Sequence, residues 1–226
     1  MDDKPHYLGH RQRLRERFMN GGADALPDYE MLELVLFQAH PRADMKPLAK
    51  RLIDRFGSFS DAISAPPERL LEINGVGEST VAVFKIVREA GIRLTKAKAL
   101  EKPVISSWSA LSDYCSASMA YQSIEQLRVL FLDKRNRIIA DEILQEGSVD
   151  HTPVYPRQVA KRALALDATA LILVHNHPSG DPEPSQPDVE MTKLVVAAAK
   201  ACEIVVHDHV IIGRGSHVSM RSMGLM

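Results

Sequence analysis

The sequence predicts a two-domain α+β protein, in which an all-helical domain precedes a three-layer α/β domain. Up to about residue 100, apolar residues recur at the spacing of helices. After Pro103 the pattern changes, and apolar strand segments alternate with helical segments, which is typical of a sheet covered by helices. The charged stretch Lys96–Lys102 lies between the two patterns, so we expect domains at 1–100 and 103–226.

The composition is that of an ordinary soluble globular protein, with 45% hydrophobic and 25% charged residues and a net charge of −1. Neither half has the strong excess of basic residues with which a domain holds nucleic acid by charge alone. Cys115 and Cys202 form no CxxC pattern, and the acidic, polar N-terminus shows no signal peptide. We therefore expect a reducing, cytoplasmic location. No apolar run approaches membrane-spanning length, so no membrane partner is expected.

Six helices are expected in the first domain, because each segment carries apolar residues at helical spacing. In the third of them, for example, Leu48, Leu52 and Phe56 form the apolar face. Gly21-Gly22 is expected to end the first helix. The expected ranges are 10–18, 29–38, 47–56, 60–63, 66–71 and, after a glycine-containing hairpin, 79–89.

That hairpin is Asn74-Gly75-Val76-Gly77, and with its flanking helices it resembles a helix-hairpin-helix motif over about 68–90. In that motif the glycines let the backbone approach a DNA phosphate, so Gly75 and Gly77 are candidates for binding double-stranded DNA without sequence preference. Glu78 beside the hairpin disfavours a phosphate, and the nearest basic residues lie well into the second helix. A purely structural connector or a protein-contact module is therefore an equal alternative.

The second domain is expected to alternate strands and helices around one central strand. The segment 170–174 is continuously apolar, as expected of a strand buried on both faces. Lys134-Arg135-Asn136 is expected to join two strands as a short hairpin. The expected helices are 108–120, 156–166 and 188–201, and the other expected strands are 125–133, 137–146, 204–212 and 216–220.

A candidate metal site follows the central strand. His175 and His177 are two residues apart, so on a strand both side chains face the same side. The loop 178–184, with three prolines and a glycine, reverses the chain and can bring Asp188 back beside them. Two imidazoles and a carboxylate are a common ligand set for zinc, with a fourth position left to water. Separately, the histidines could be ordinary strand-end residues and Ser185-x-x-Asp188 a capping box; their combination predicts a Zn²⁺ site.

These residues resemble a known motif. His175-x-His177-Pro178, followed by Ser185-x-x-Asp188, is similar to the JAMM motif of JAB1/MPN-type zinc metalloproteases. The surrounding sequence, VYPRQVAKRALALDATALILVHNHPSGDPEPS and later DHVIIG, resembles the bacterial RadC family, as does the N-terminal half. The resemblance implies a JAB/MPN domain, related in fold to cytidine deaminases. It also implies a metallopeptidase or isopeptidase that cleaves an amide in an unidentified protein or peptide.

Such a hydrolase needs a general base near its water, and glutamate is the usual one. From the residues alone, Glu125, Glu142 and Glu146 are all candidates. In JAMM enzymes the catalytic glutamate opens the first strand of the hairpin, so the resemblance assigns this role to Glu125. It further implies that Ser185 hydrogen-bonds the water or the oxyanion.

A second His-x-His pair, His207 and His209, alternates with apolar residues, so we expect both side chains on one strand face. No second carboxylate arrangement accompanies this pair. Because RadC sequences also carry DHVIIG, we interpret Asp208 and His209 as structural groups or groups that support the ligands.

Other functions remain to be weighed against the hydrolase. A zinc nucleobase deaminase requires H-x-E and a downstream P-C-x-x-C, which are absent. A single H-x-H…D site is less typical of two-metal nucleases. The main rival is a DNA-associated repair or recombination accessory protein, binding DNA through its helical half with a vestigial or regulatory metal site. The complete ligand set and the candidate base argue against such decay.

Overall fold

The computed structural model describes residues 9–22, 25–147 and 155–226. It divides into two compact units, Met1–Ala90 and Gly91–Met226. A helical region therefore precedes a region built on a β-sheet, as the sequence predicts. Among the described residues, no helix combines the length and the apolar composition needed to cross a lipid bilayer.

The first unit contains only helices in its described part. They are α1 (His10–Gly21), α2 (Asp28–Ala39), α3 (Lys46–Phe56), α4 (Phe59–Ser64), α5 (Pro67–Leu71) and the first part of α6 (Glu78–Glu101). Local signals start several of them: Ser58 caps α4 by accepting from the Asp61 N–H, and α3 and α5 carry proline in their first turn. Their apolar faces meet in one core that includes the fully buried Leu32, Leu52 and Phe84.

Helix α6 is longer than the sequence suggests. The charged segment Lys96–Lys102 was expected to separate the two domains, but the helix continues to Glu101. Lysine, alanine, leucine and glutamate are among the best helix formers, so this charged stretch extends the helix instead of breaking it. The boundary between the two compact units lies between Ala90 and Gly91, inside this helix. Domains at 1–100 and 103–226 remain a prediction.

The second unit is a mixed five-stranded sheet with helices. After a 3₁₀ turn (Val104–Ser106), its elements are α7 (Trp108–Met119), β1 (Glu125–Leu132), β2 (Ile138–Gly147), α8 (Pro156–Ala165), β3 (Ala170–Asn176), α9 (Gln186–Ala201), β4 (Val205–Ile212) and β5 (His217–Ser219). The strand order is β2-β1-β3-β4-β5. Strands β3 and β4 are parallel, and the other neighbours are antiparallel.

Helices cover both faces of this sheet because side chains alternate along each strand. Leu130 and Ile172 belong to the core on the side of α7, whereas Phe131 and Leu173 belong to the core on the side of α8 and α9. Every residue of β3 is buried, as expected for the central strand. Burial of one such side chain contributes about 1.5–3 kcal/mol, so the sheet is a firm support for its loops.

One end of the sheet collects the residues of interest. The antiparallel register sets Leu127 of β1 opposite His175 of β3, and Glu125 opposite Gly147 of β2. The start of β1 therefore lies beside the end of β3. Helix α9 packs on the same sheet face as Leu127, and its first turn carries Asp188.

Candidate metal site

The structure brings His175, His177 and Asp188 together at this end of the sheet. One ligand atom from each lies within 4.8 Å of the others. The two Nε2 atoms are 2.8 Å apart, His175 Nε2 lies 3.4 Å from Asp188 Oδ1, and His177 Nε2 lies 3.6 Å from Asp188 Oδ2. His175 is fully buried, whereas the other two side chains are partly exposed.

These separations fit one metal ion. Zinc binds imidazole nitrogen and carboxylate oxygen at about 2.0–2.2 Å, so two of its ligand atoms lie no more than about 4.4 Å apart. The distances between the three side chains all meet this limit. The two Nε2 atoms are also too close to face each other with two lone pairs, so a proton or a cation must lie between them. The site therefore has the donor set and the spacing of a metal site.

The Nδ1 atom of His177 has its own partner. It lies 2.7 Å from the backbone carbonyl of Asp181, in the loop that follows β3. A carbonyl only accepts, so Nδ1 donates and Nε2 keeps its lone pair for an ion. The predicted chain reversal thus also fixes the tautomer of one ligand.

A buried chain of hydrogen bonds fixes the tautomer of His175. Its Nδ1 lies 2.7 Å from His209 Nε2, and His209 Nδ1 lies 2.6 Å from Thr192 Oγ1. The Thr192 hydroxyl donates its only proton to the Asp188 carbonyl, one helical turn earlier, at 2.6 Å. His209 must then donate to Thr192 and accept from His175, which leaves His175 Nε2 free for an ion. Thr192 was not predicted from the sequence, because its bond to His209 spans 17 positions.

The second His-x-His pair does not share one environment. The pairing of β4 with β3 shifts so that Val206 and Asp208 have partners on β3 and His207 has none. The irregularity breaks the alternation on which the expected shared face rested, so that expectation is wrong. His207 instead bonds Asn136 at 2.6 Å. Asp208 accepts from the backbone of His209 at 2.7 Å, which holds His209 in place, so both act as supports.

Asp188 is held by a capping box at the start of α9. The Ser185 hydroxyl accepts from the Asp188 N–H at 3.3 Å, and Asp188 Oδ2 accepts from the Ser185 N–H at 2.7 Å. The cap engages Oδ2 and leaves Oδ1 facing His175. The capping reading of Ser185-x-x-Asp188 is therefore correct and compatible with a ligand role. A direct catalytic role for Ser185 remains a prediction.

The electrostatics suit ligation at neutral pH. Burial lowers the pKa of His175 to about 4, which keeps this imidazole neutral. The Asp188 carboxylate raises the pKa of His177. Burial alone would raise the pKa of Asp188, but His177, His175 and hydrogen bonds from Ser185 together hold it well below its usual value. Asp188 is therefore ionised, as a ligand must be.

Glu125 lies at the edge of this site. Two residues before Leu127, which pairs with His175, it is on the same strand face and level with His177. Burial raises the pKa of this half-buried carboxyl, Asp188 raises it further, and His177 lowers it. The carboxyl group is thus electrostatically coupled to the candidate ligands and has a raised affinity for protons.

The two other candidate glutamates have partners elsewhere. Glu142 forms a two-point ion pair with Arg162 of α8, at 2.6 and 2.7 Å. Glu146 accepts from the Gln126 side chain at 2.7 Å and is exposed. The bonds of both side chains are therefore to residues other than the two histidines.

The loop after β3 is held by the end of β4. His177 N–H donates to Ile212 at 2.9 Å, and Arg214 N–H donates to Gly180 at 2.9 Å. A Cβ on Gly213 would lie 2.3 Å from the Gly180 carbonyl oxygen, so only glycine allows this approach. The glycine of DHVIIG thus helps to place the loop that orients His177.

The hairpin of the first unit contains a basic neighbour that the sequence reading missed. Arg51 of α3 donates to the Asn74 carbonyl at 3.1 Å. Gly75 has φ +95°, which strongly favours glycine, and no atom lies within 4 Å of a Cβ built on Gly77. Helix α5, before the hairpin, is five residues long. The Arg51 guanidinium lies 23 positions before Asn74, which no local pattern reveals.

A mixed sheet with a His-His-Asp cluster at the end of its central strand is the arrangement expected of a JAB-type domain, and comparison with known proteins agrees. Residues 105–225 match the family described as RadC-like JAB domain, and residues 6–82 match UPF0758 N-terminal. The chain is 59% identical over 213 residues to a UPF0758 protein of Rhodobacter capsulatus, an alignment that covers 94% of this chain and 100% of the relative. The chain belongs to the RadC (UPF0758) family, which confirms the resemblance seen in the sequence.

Proposed function

We propose that this protein is a zinc-dependent hydrolase of the metallopeptidase or isopeptidase type. The observation that carries the proposal is the convergence of two imidazole Nε2 atoms and one carboxylate oxygen, with Glu125 beside them. The substrate class is an amide in a protein or peptide, as in the JAMM enzymes that the motif resembles. The names of the family and of the relative state no activity, so the chemistry of the site is the ground for the proposal.

His175, His177 and Asp188 would hold the zinc ion, leaving one position open as catalytic zinc sites do. Zinc, when bound, supplies Lewis acidity that lowers the pKa of water and polarises a carbonyl group. The protein contributes the two fixed imidazole tautomers and an ionised carboxylate. The partners of the two Nδ1 atoms are in place without the metal, so binding has to replace only the proton between the two Nε2 atoms.

Glu125 is proposed as the general base. Its carboxylate takes a proton from the attacking water and later gives that proton to the leaving amine nitrogen. Burial raises its pKa, which brings its proton affinity closer to that of a base working near neutral pH. Ser185 is proposed to stabilise the oxyanion, for which its hydroxyl must turn away from Asp188.

A cleavage experiment tests this function. Zinc-loaded protein is incubated with a mixed peptide library that includes peptides branched at lysine Nζ, and new termini are identified by mass spectrometry. Cleavage is expected for the native chain and for Glu146→Gln, a matched control on the neighbouring strand, and not for Glu125→Gln. Equal cleavage by Glu125→Gln would move the base elsewhere, and no cleavage by the native chain would reject the proposal.

We also propose, as a second function, that the hairpin binds double-stranded DNA without sequence preference. The supporting observation is Arg51, whose guanidinium bonds the Asn74 carbonyl and lies beside Gly75 of the hairpin. Such a contact neutralises a phosphate and weakens with added salt. Affinity for two unrelated duplexes at low and high salt should fall for Arg51→Gln and for Gly75→Val. It should stay unchanged for Arg55→Gln, one turn later on α3; equal affinities throughout would assign the hairpin a structural role.

A further inference from the structure

Asn176, the residue between the two histidines, is tied to both sides of Glu125. It ends β3 and is 1% exposed. Its Oδ1 accepts from the Gln126 N–H at 2.9 Å, and its Nδ2 donates to the Ile124 carbonyl at 3.2 Å. Those two peptide groups flank Glu125 in the chain. One buried side chain therefore spans the residue proposed as the base.

The carboxamide takes the place of a backbone pair. The backbone register of β1 with β3 begins only at Leu127 and His175. On its other side β3 still pairs with β4 at this residue, since Asn176 is level with Ile212. The carboxamide carries the same donor and acceptor as a peptide group, so it continues the ladder where the β3 backbone does not. Aspartate has no donor and alanine has neither group.

We propose that Asn176 is a positioning residue that holds Glu125 in its working place relative to the metal ligands. The inference rests on the proposed function, because it assigns Asn176 its role through the base. The two ligands and the tie to the base lie on three successive residues, so a single segment sets the distance between the metal and the base. Without the tie, Glu125 sits in a strand start that lacks hydrogen bonds on its β3 side.

The expected loss is in the rate and not in metal binding. A displacement of about 1 Å of a catalytic group can cost roughly a hundredfold in rate. We expect Asn176→Ala to lower kcat about ten- to a hundredfold with KM changed less than about twofold, because the substrate-binding surface is untouched. Zinc content should stay at about one per chain, since the three ligands remain.

The test compares four variants with the native chain: Asn176→Ala, Asn176→Asp, Glu125→Gln and Val129→Ala. Val129→Ala is the matched control, because it removes a buried side chain from β1 without touching the bonds at residues 124 and 126. Asn176→Asp has almost the same shape as asparagine and serves if the alanine variant does not fold. The first readout is kcat and KM for p-nitrophenyl acetate with zinc-loaded protein. The second is the pH dependence of the visible spectrum of cobalt-loaded protein, which needs no substrate.

Both Asn176 variants should resemble Glu125→Gln in the two readouts. Val129→Ala should resemble the native chain in both readouts, although the loss of its buried side chain lowers the melting temperature. If Glu125→Gln differs from the native chain and the Asn176 variants do not, the inference is overturned and the proposed base stands. Loss of metal from Asn176→Ala would also overturn it, because the residue would then serve the ligands. If Glu125→Gln matches the native chain in both readouts, Glu125 is not the base, and that part of the proposed function fails together with the inference.

Discussion

The protein carries two His-x-His pairs on adjacent parallel strands, and the two pairs lie in different environments. His175 and His177 stand at the end of β3 and direct both Nε2 atoms to one point. His207 and His209 lie inside β4, where an irregularity separates their environments. His209 supports His175 from behind, while His207 bonds Asn136. The His-x-His spacing alone therefore does not make a candidate metal site; the first pair differs by its place at a strand end, by the carboxylate of Asp188 and by the partners of its Nδ1 atoms.

The largest expected effect is on zinc content, which should differ between variants of the first pair and variants of the second. His175→Ala removes a buried ligand and leaves two, too few for a stable site, so zinc should be lost after dialysis. His207→Ala should keep about one zinc per chain, because its side chain supplies no ligand atom to the cluster. Metal analysis of the two purified variants measures this difference. Zinc loss from His207→Ala, or retention by His175→Ala, would show that the pairs have been assigned the wrong way round.

A smaller effect on metal affinity is expected from the hydrogen bonds that join His175 to His209 and Thr192. Thr192→Val keeps the shape of the side chain but removes the acceptor for His209. Loss of such a supporting hydrogen bond typically lowers metal affinity about 10–100-fold. Competition with a coloured chelator measures the affinity. Thr95→Val is the control, because its hydroxyl bonds carbonyls of its own helix, and it should bind zinc as the native protein does. Equal zinc affinities for the two variants would show that the hydrogen bonds from Thr192 through His209 to His175 do not support metal binding.

The contact between β4 and the loop after β3 should respond to a single methyl group. In Gly213→Ala the Cβ would lie 2.3 Å from the Gly180 carbonyl oxygen, so the loop must move. Overpacking of this kind costs about 1–3 kcal/mol of unfolding free energy. Urea unfolding measures it. Gly91 lies in a helix, and a Cβ built on it meets no neighbouring side chain within 4 Å, so Gly91→Ala should instead stabilise the protein by about 0.5–1 kcal/mol. Similar unfolding free energies for the two variants would contradict the close approach at Gly213.

The smallest effect is a pH dependence of the metal-free protein. Burial lowers the pKa of His175 to about 4, whereas an unfolded histidine titrates near 6.5. Between these values the unfolded chain binds a proton that the folded chain does not. Stability should therefore fall as the pH is lowered through this window. His177, with its raised pKa, acts in the opposite direction and reduces the effect.

Urea unfolding in EDTA at pH 7 and pH 5 gives that dependence. Removing the buried imidazole in His175→Gln should flatten it, because glutamine does not titrate. An equally steep loss of stability in the variant would assign the dependence to other groups, such as the buried His209, whose pKa is also lowered by burial.

Much of the fold and of the candidate site could be predicted from local sequence patterns. The alternation of helices and strands, the buried strand β3 and the His-x-His and Ser-x-x-Asp motifs were all predicted, because each depends on neighbouring residues. The irregularity at His207 was missed, since it arises from pairing with another strand. Thr192 and Asn176 were missed for a similar reason. Their roles depend on bonds to residues 17 and about 50 positions away, and nothing near them in sequence shows those partners.

The candidate sites of the two units also differ in how far the sequence predicts them. In the first unit, the hairpin glycines are visible in sequence, but the basic group beside them comes from α3. In the second unit, two ligands and their turn lie in one stretch of chain. Sites assembled from one stretch can be predicted from sequence, whereas sites assembled across elements need the fold.

The most direct test of the central claim is anomalous diffraction at the zinc absorption edge from crystals of the zinc-loaded protein. We expect one strong peak about 2.0–2.2 Å from His175 Nε2, His177 Nε2 and Asp188 Oδ1. A peak beside His207 and His209, or no peak near the end of β3, would contradict it.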